Sequence, residues 1–295
     1  MTKLRVSRAI DKFAKRASST LKIEMWEGID DNTEHLVFFG LYNERDYEVF
    51  ENFEGKKSII WGGSDIRRAV VDYERQRILK NNPADHYCEN EVEAKDLERL
   101  GFKPTIIPTF MDNIHNYPIT YKGSKNPNLF MCVNENREEE YGVNFIKSIA
   151  DKVPFARFHI YGISEGATFF KTAVRVVNPD NFTDLKYKMD ADNPNIFYHG
   201  HLPEQEFNNE ILKYQSGLRP NLHDGNSEVA MKSILSGGYP ITRIKYPDIW
   251  SYSNEEELIG LINKLALMTE PNLKARSSWV KRLNNFPFNK RNYNE

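Results

Sequence analysis

Tyr214 to Thr242 reads YQSGLRPNLHDGNSEVAMKSILSGGYPIT, and the fold turns on how this stretch is parsed. Gly217 to Leu222 reads as a buried strand, and His223 to Ser227 as a loop of polar and small residues. Glu228 to Ser236 has helical spacing, with Val229, Ile234 and Leu235 available for packing. Ser227 is placed to cap that helix, whose first N–H groups then point outward with partial positive charge and offer a seat for phosphate. Gly237 and Gly238 end the helix, and Tyr239 to Thr242 enter the next strand. This order puts polar side chains at the carboxyl end of a strand, where open α/β sheets bind ligands.

Working outward, the flanking chain repeats the alternation. Residues 4–21 carry Val6, Ile10, Phe13, Ala17 and Leu21 at helical intervals inside a basic surround, with a very short strand at Leu4 to Val6 as an alternative start. Strands are expected at Leu21 to Trp26, His35 to Gly40, Ser58 to Trp61, 84–90 and Thr105 to Phe110. Helices are expected at Glu44 to Phe53, at Ile66 to Leu79 with Asp65 as cap, and at Val92 to Leu100. Residues 116–127 read as a linker punctuated by Pro118, Gly123 and Pro127. A second set opens with the strand Leu129 to Val133 and continues through the strands Arg157 to Tyr161 and Asn195 to His199. Ser253 and Glu256 form a capping box for a helix through Met268, and Pro271 starts a last helix. Residues 163–194 receive no assignment. The expectation is two doubly wound α/β domains, 1–115 and 128–268, with 269–295 as a helix returning to the first.

Composition narrows the function classes. With 295 residues, 40% hydrophobic, 28% charged and a formal net charge of -2, the chain reads as globular and is not globally basic like a nucleic-acid-coating protein. No apolar run approaches the roughly 20 residues of a membrane span. Cys88 and Cys132 are too few for a disulfide framework and lack metal-site spacing, which points to a reduced, cytoplasmic setting, or a host's cytoplasm if the chain is viral. The basic first helix is most simply a solvated face, with contact to an anionic surface as the sharper reading.

The stretch 217–240 resembles the donor-site motif of GT-B glycosyltransferases, particularly the family 4 type. That motif runs from an acid and a Gly to a second Glu and a helix ending in Gly-x-Pro. Asp224-Gly225 stand at the first acid and Gly238-Tyr239-Pro240 match the end, while Lys232 stands where the second Glu belongs. Weaker likenesses lie in Gly62-Gly63-Ser64-Asp65, in Asn134-Glu135-Asn136-Arg137, and in Tyr198-His199-Gly200. The resemblance implies two Rossmann-like doubly wound domains facing across a cleft. It also implies transfer from a nucleotide-diphosphate sugar with retention, and no required cofactor or metal. Asp224, His223 and Arg137 would be catalytic, and Arg219, Gly225, Asn226, Ser227, Glu228, His199 and Gly200 would bind the donor. Gly62, Gly63, Ser64 and Asp65 would face the acceptor.

Each likeness has a plainer reading. His223 to Asn226 are all turn formers, Arg137 has acids beside it to pair with, His199 suits a core position, and Asp65 suits a helix cap. Asp190-Ala191-Asp192 fits a solvated turn better than a metal motif. Two functions remain open. One is a hexosyl- or pentosyltransferase acting on a glycan, a lipid-linked sugar or a hydroxymethylated base of viral DNA. The other is a GT-B-like nucleotide- or sugar-binding partner subunit without catalysis.

Overall fold

The computed structural model describes residues 1–28, 32–134, 137–163, 174–177, 187–285 and 287–288. It divides into two units, the first holding 1–113, 223–226 and 280–295, the second 114–222 and 227–279.

In the first unit β1 (Thr2–Val6), β2 (His35–Phe39), β3 (Lys56–Ile60), β4 (Asp85–Cys88) and β5 (Thr105–Ile106) form a parallel sheet in that order. The strand expected at Leu21 to Trp26 shrinks to one parallel bridge, Met25 against Leu4 on the outer edge of β1. Lys22 takes a left-handed backbone (φ 53°), and Glu24, Glu27 and Gly28 are poor strand formers, so pairing goes no further. The bridge still explains the winding. From β1 the chain steps outward through α1 (Ala14–Leu21) and then back to β2, so α1 and α2 (Glu44–Asn52) fall on opposite faces, as right-handed crossovers require. Leu4, Val6, Val37 and Phe39 accordingly pack with Ala17 and Leu21, while Leu36, Phe38 and Ile59 pack with Tyr47 and Phe50.

The helix expected from Ile66 to Leu79 is two, α3 (Ser64–Val71) and α4 (Tyr73–Asn81), because Asp72 leaves the helical path and accepts the Arg75 amide as cap of α4. Asp65 is not a cap: Gly63 holds that position at φ 98°, and Asp65 lies wholly buried. Asn90 caps α5 (Glu91–Arg99) by accepting from the amides of Val92 and Glu93. The strand expected to run to Phe110 stops at Ile106, before Pro108, which has no N–H to give a ladder.

The second unit holds β6 (Asn128–Cys132), β7 (Arg157–Tyr161), β8 (Val174–Val177), β9 (Tyr187–Asp190), β10 (Ile196–Gly200), β11 (Ser216–Arg219), β12 (Ile241–Thr242) and β13 (Trp250–Ser251). Their order is β13-β12-β11-β6-β7-β10-β9-β8. Counted in order of appearance, the parallel strands read 3-2-1-4-5-6, the Rossmann order, whose direction reverses between β6 and β11. β8 and β9 extend it antiparallel, in the region left unassigned from sequence. The helices are α6 (Val143–Ala150), α7 (Glu204–Ile211), α8 (Glu228–Leu235), α9 (Glu255–Leu265) and α10 (Leu273–Asn284). α9 is capped by Asn254, which accepts the Glu257 amide, rather than by Ser253.

Residues 116–127, read as a linker, count with the second unit: Tyr117 and Tyr121 are buried and the Thr120 amide donates to Ser236 O. α10 counts with the second unit up to Trp279 and with the first from Val280. Asp190 serves the fold. It is buried, pairs with Lys147 at 2.7 Å, and accepts from the Tyr198 hydroxyl and from the amides of Asp192 and Asn193. Among the described residues no helix is long and apolar enough to cross a membrane.

Candidate functional site

The reversal of strand order opens a crevice between the loops that follow β6 and β11, because those loops leave in opposite directions. The β6 loop carries Arg137 and Tyr141, and β11 ends at Arg219. Arg219 donates through Nη1 to Cys132 O (3.2 Å) and lies 4.6 Å from the centroid of the Tyr141 ring. Arg137 lies 5.6 Å from the same centroid and donates through Nε to Glu140 (2.8 Å). The Tyr141 hydroxyl accepts from Asn134 Nδ2 (2.8 Å), which fixes the ring that both guanidinium groups share. A Cβ at Gly142, itself at φ 72°, would stand 2.7 Å from Pro220 Cβ, so glycine lets the two loops close on one another. The Arg137–Glu140 pair is half exposed and adds little stability.

α8 starts at the same crevice. Ser227 caps it by accepting the Ala230 amide (3.2 Å), and Glu228 follows in the first turn. Gly217 on β11 lets the helix approach, since a Cβ there would stand 2.5 Å from Val229 O, and its own amide donates to Ser233 Oγ. Burial pushes the Cys132 thiol up to about 11, against the pull of the Lys232 and Arg219 charges. Lys232 turns inward, donating to Asn208 Oδ1 (2.8 Å) and lying 5.2 Å from the Phe207 ring centroid.

His199 belongs to a different neighbourhood. Its Nε2 is 2.9 Å from His159 Nδ1, its ring stacks on Tyr161, and burial pulls it down to about 4. These contacts hold the half-buried ring against β7. Gly200 ends β10 at φ 68° and accepts the Gly162 amide.

In the first unit Asp65 organises the turn after β3. Its carboxylate accepts from the amides of Leu41, Gly62 and Ile66, and burial raises it to about 6. The Tyr42 hydroxyl donates to Gly62 O (3.2 Å), so Gly62 and Asp65 serve the turn itself, with Gly63 and Ser64 leading into α3. Residues 223–226 pack beside this turn, a Cβ at Gly63 reaching within 3.4 Å of Gly225 N. His223 is exposed and Asp224 half-buried. Both polar ends of the Asn226 side chain are shielded from solvent without a hydrogen-bond partner.

Three residues around this loop escaped the sequence reading: Glu89, Asn90 and Glu93. Asn90 Nδ2 donates to Asp224 O (2.8 Å) and Gly225 O (3.4 Å), and Glu89 Oε2 accepts from Asn226 N (2.5 Å). The available signal was Asn90 as an N-cap at the carboxyl end of a strand. Glu93 Oε2 accepts from Glu89 N (2.8 Å), while Glu93 Oε1 is buried without a partner. Burial first, and then the Glu89 charge, raise Glu93 well above the ordinary carboxylate range, with Asp65 and Asp224 adding to it. A raised native pKa means that the folded state keeps a proton the unfolded state has lost, so stability falls as pH rises from about 4.5 through the native value. Glu93→Gln stays neutral. Its melting temperature should therefore gain on wild type as pH rises from 4 to 9, and a difference independent of pH would contradict this assignment. Among the described residues no group of three His, Cys, Asp or Glu side chains could hold a metal ion.

Comparison with protein-family models finds no match, nor does comparison with curated proteins. Among solved structures, a TarM mutant from S. aureus in complex with Fondaparinux, alpha-GlcNAc-glycerol and UDP is similar at TM-score 0.56 and 13% identity, covering 84% of this chain and 52% of that one. HepE from Anabaena in complex with UDP and glucose is similar at TM-score 0.51 and 9% identity, covering 92% of this chain and 81% of that one. The chain thus spans about half the length of TarM. At such identity the likeness is one of fold, and it agrees with two Rossmann-like α/β units of the GT-B class.

Proposed function

We propose that this chain is a glycosyltransferase of the GT-B class that moves a sugar from a nucleotide-diphosphate sugar to an acceptor hydroxyl, with the diphosphate seated at the strand-order reversal of the second unit. The observation that carries this reading is the placement of Arg219 and Arg137 against one Tyr141 ring at that reversal, with α8 following β11 in the chain. Breaking the bond between the anomeric carbon and the diphosphate oxygen leaves negative charge on the departing diphosphate. Cations and helix amides positioned in advance stabilise that charge as it grows. Arg219 is fixed by Cys132 O and Tyr141 before any ligand arrives, and Arg137 exchanges Glu140 for phosphate oxygens through the fork of its guanidinium. Asp224 accepts hydrogen bonds from donor sugar hydroxyls, with Gly225 allowing close backbone approach.

UDP is the first nucleotide to test, since it occupies the TarM and HepE structures. Retention of configuration is what the resemblance to the family 4 motif implies, and a glycan, a lipid-linked sugar or modified DNA is the acceptor class proposed. Unfolding is to be followed against UDP, GDP, ADP, CDP and TDP and their sugar conjugates. A ligand at a hundred times its dissociation constant stabilises by about 2.7 kcal/mol, a readable shift. Arg219→Ala should weaken the stabilising nucleoside diphosphate at least tenfold and the nucleoside alone less than threefold. Equal weakening of both would remove Arg219 from the diphosphate seat.

Lys232 favours a second reading, a binding subunit without catalysis, because a buried cation bonded to Asn208 occupies the position of the motif's second acid. Nucleotide binding without sugar release or transfer to any acceptor would select it.

A further inference from the structure

We infer that Asn90 and Glu89, at the carboxyl end of β4, are positioning residues that hold the backbone of the loop 223–226 and so aim Asp224. This rests on the reading of that loop as the donor loop, and it adds residues that the sequence motif does not contain.

The contacts form a set. Two successive residues reach three successive residues of the loop through its backbone: Asn90 Nδ2 takes the carbonyls of Asp224 and Gly225, and Glu89 Oε2 takes the amide of Asn226. Loop side chains are left out of these three bonds, so the arrangement fixes the path of the chain. Asn90 is itself immobilised, because its Oδ1 accepts from the amides of Val92 and Glu93 and leaves only Nδ2 to face the loop. It is buried, at 3% exposure. Glu89 is held in turn by its amide, which donates to Glu93 Oε2. Gly225 completes the fit, since a Cβ there would fall 1.6 Å from Glu89 Oε2. A side chain at 225 and the Glu89 contact exclude each other. A loop of polar turn formers has no internal reason to keep one conformation, and external bonds to its backbone supply that reason.

The test separates holding the loop from capping α5. Asn90→Ser keeps an oxygen able to accept from the helix amides but loses the amide group that reaches the loop. Asn90→Ala loses both, and Glu89→Ala removes the acceptor of the Asn226 amide. Two readouts are taken on the full chain: hydrogen exchange of peptides covering 223–226, which needs no activity, and steady-state transfer from the nucleotide sugar identified by the unfolding panel. Asn90→Ser and Glu89→Ala should each raise loop exchange about tenfold. They should lower kcat about tenfold with KM for the donor within threefold and α5 exchange unchanged. Unchanged loop exchange in both variants overturns the inference, as does faster loop exchange with undiminished kcat. If wild type catalyses no transfer but exchange rises as stated, the loop-holding role stands and the glycosyltransferase reading fails.

Discussion

Asp224→Ala is expected to lower sugar transfer about a hundredfold while leaving nucleoside diphosphate affinity within threefold and the melting temperature within about 1 °C. The side chain is half-buried and outside the apolar clusters, so its removal opens no cavity in the core. Its backbone carbonyl stays bonded to Asn90, and the loop keeps its path. Hydrogen bonds between a carboxylate and hydroxyls are worth about 1.5–3 kcal/mol, and each 1.36 kcal/mol withheld from the transition state costs about tenfold in rate. At the lower figure, two hydroxyls lost from one carboxylate bring the effect to about two orders of magnitude. Asp224→Asn, which retains acceptor geometry without charge, should fall between. The assay is initial rate of transfer with saturating donor, beside a binding titration with the diphosphate alone. Full activity in Asp224→Ala would move the sugar site away from this loop.

What could be read in the sequence was local. Ser227 before an apolar-periodic segment and paired glycines after it specify loop and helix with no knowledge of what lies beyond, and α8 stands where that reading puts it, while β11 ends at Arg219, short of the expected Leu222, because Pro220 has no N–H to give a ladder and Leu222 is exposed. Asn90 offered a local signal of the same kind, a cap at the carboxyl end of a strand, and was passed over. Information carried by partners distant in the chain was not. Asp65 in sequence is a capping residue; in the fold its buried carboxylate accepts from the amide of Leu41, which follows the neighbouring strand β2. Lys232 looked like a motif position turned cationic, and only the approach of Asn208 and Phe207 shows that its charge is taken up inside. The break at Asp72 sits inside an unbroken apolar pattern, because Ile66, Ala69, Ile78 and Leu79 all face one core whether carried on one helix or two. Glu89 and Glu93 carry no local signal of their surroundings, since their counterpart, the loop 223–226, lies more than 130 residues away.

Gly217→Ala should destabilise the second unit, while Gly260→Ala in the same unit should stabilise it, and the contrast tests whether close seating of α8 on β11 is what builds the candidate site. At 217 a Cβ would meet Val229 O at 2.5 Å, Val229 Cγ1 at 2.9 Å and Ser233 Cβ at 3.0 Å. The first of these is helix backbone and cannot swing aside. α8 is buried along its length from Val229 to Leu235, so it has no free direction in which to retreat. Overpacking of this kind costs about 1–3 kcal/mol, and in a unit of this size each kcal/mol lowers the melting temperature by about 2–4 °C. At 260, on α9, a Cβ would meet nothing within 4 Å, and alanine in a helix interior is favoured over glycine by about 0.5–1 kcal/mol. The functional arm follows from geometry. Gly217 lies two residues before Arg219, so lifting α8 separates its first amides from the guanidinium proposed to share the diphosphate with them. Gly217→Ala should therefore weaken nucleoside diphosphate binding at least tenfold, while Gly260→Ala leaves it unchanged. Equal affinity in the two variants, with only their melting temperatures apart, would mean that the diphosphate does not depend on the start of α8.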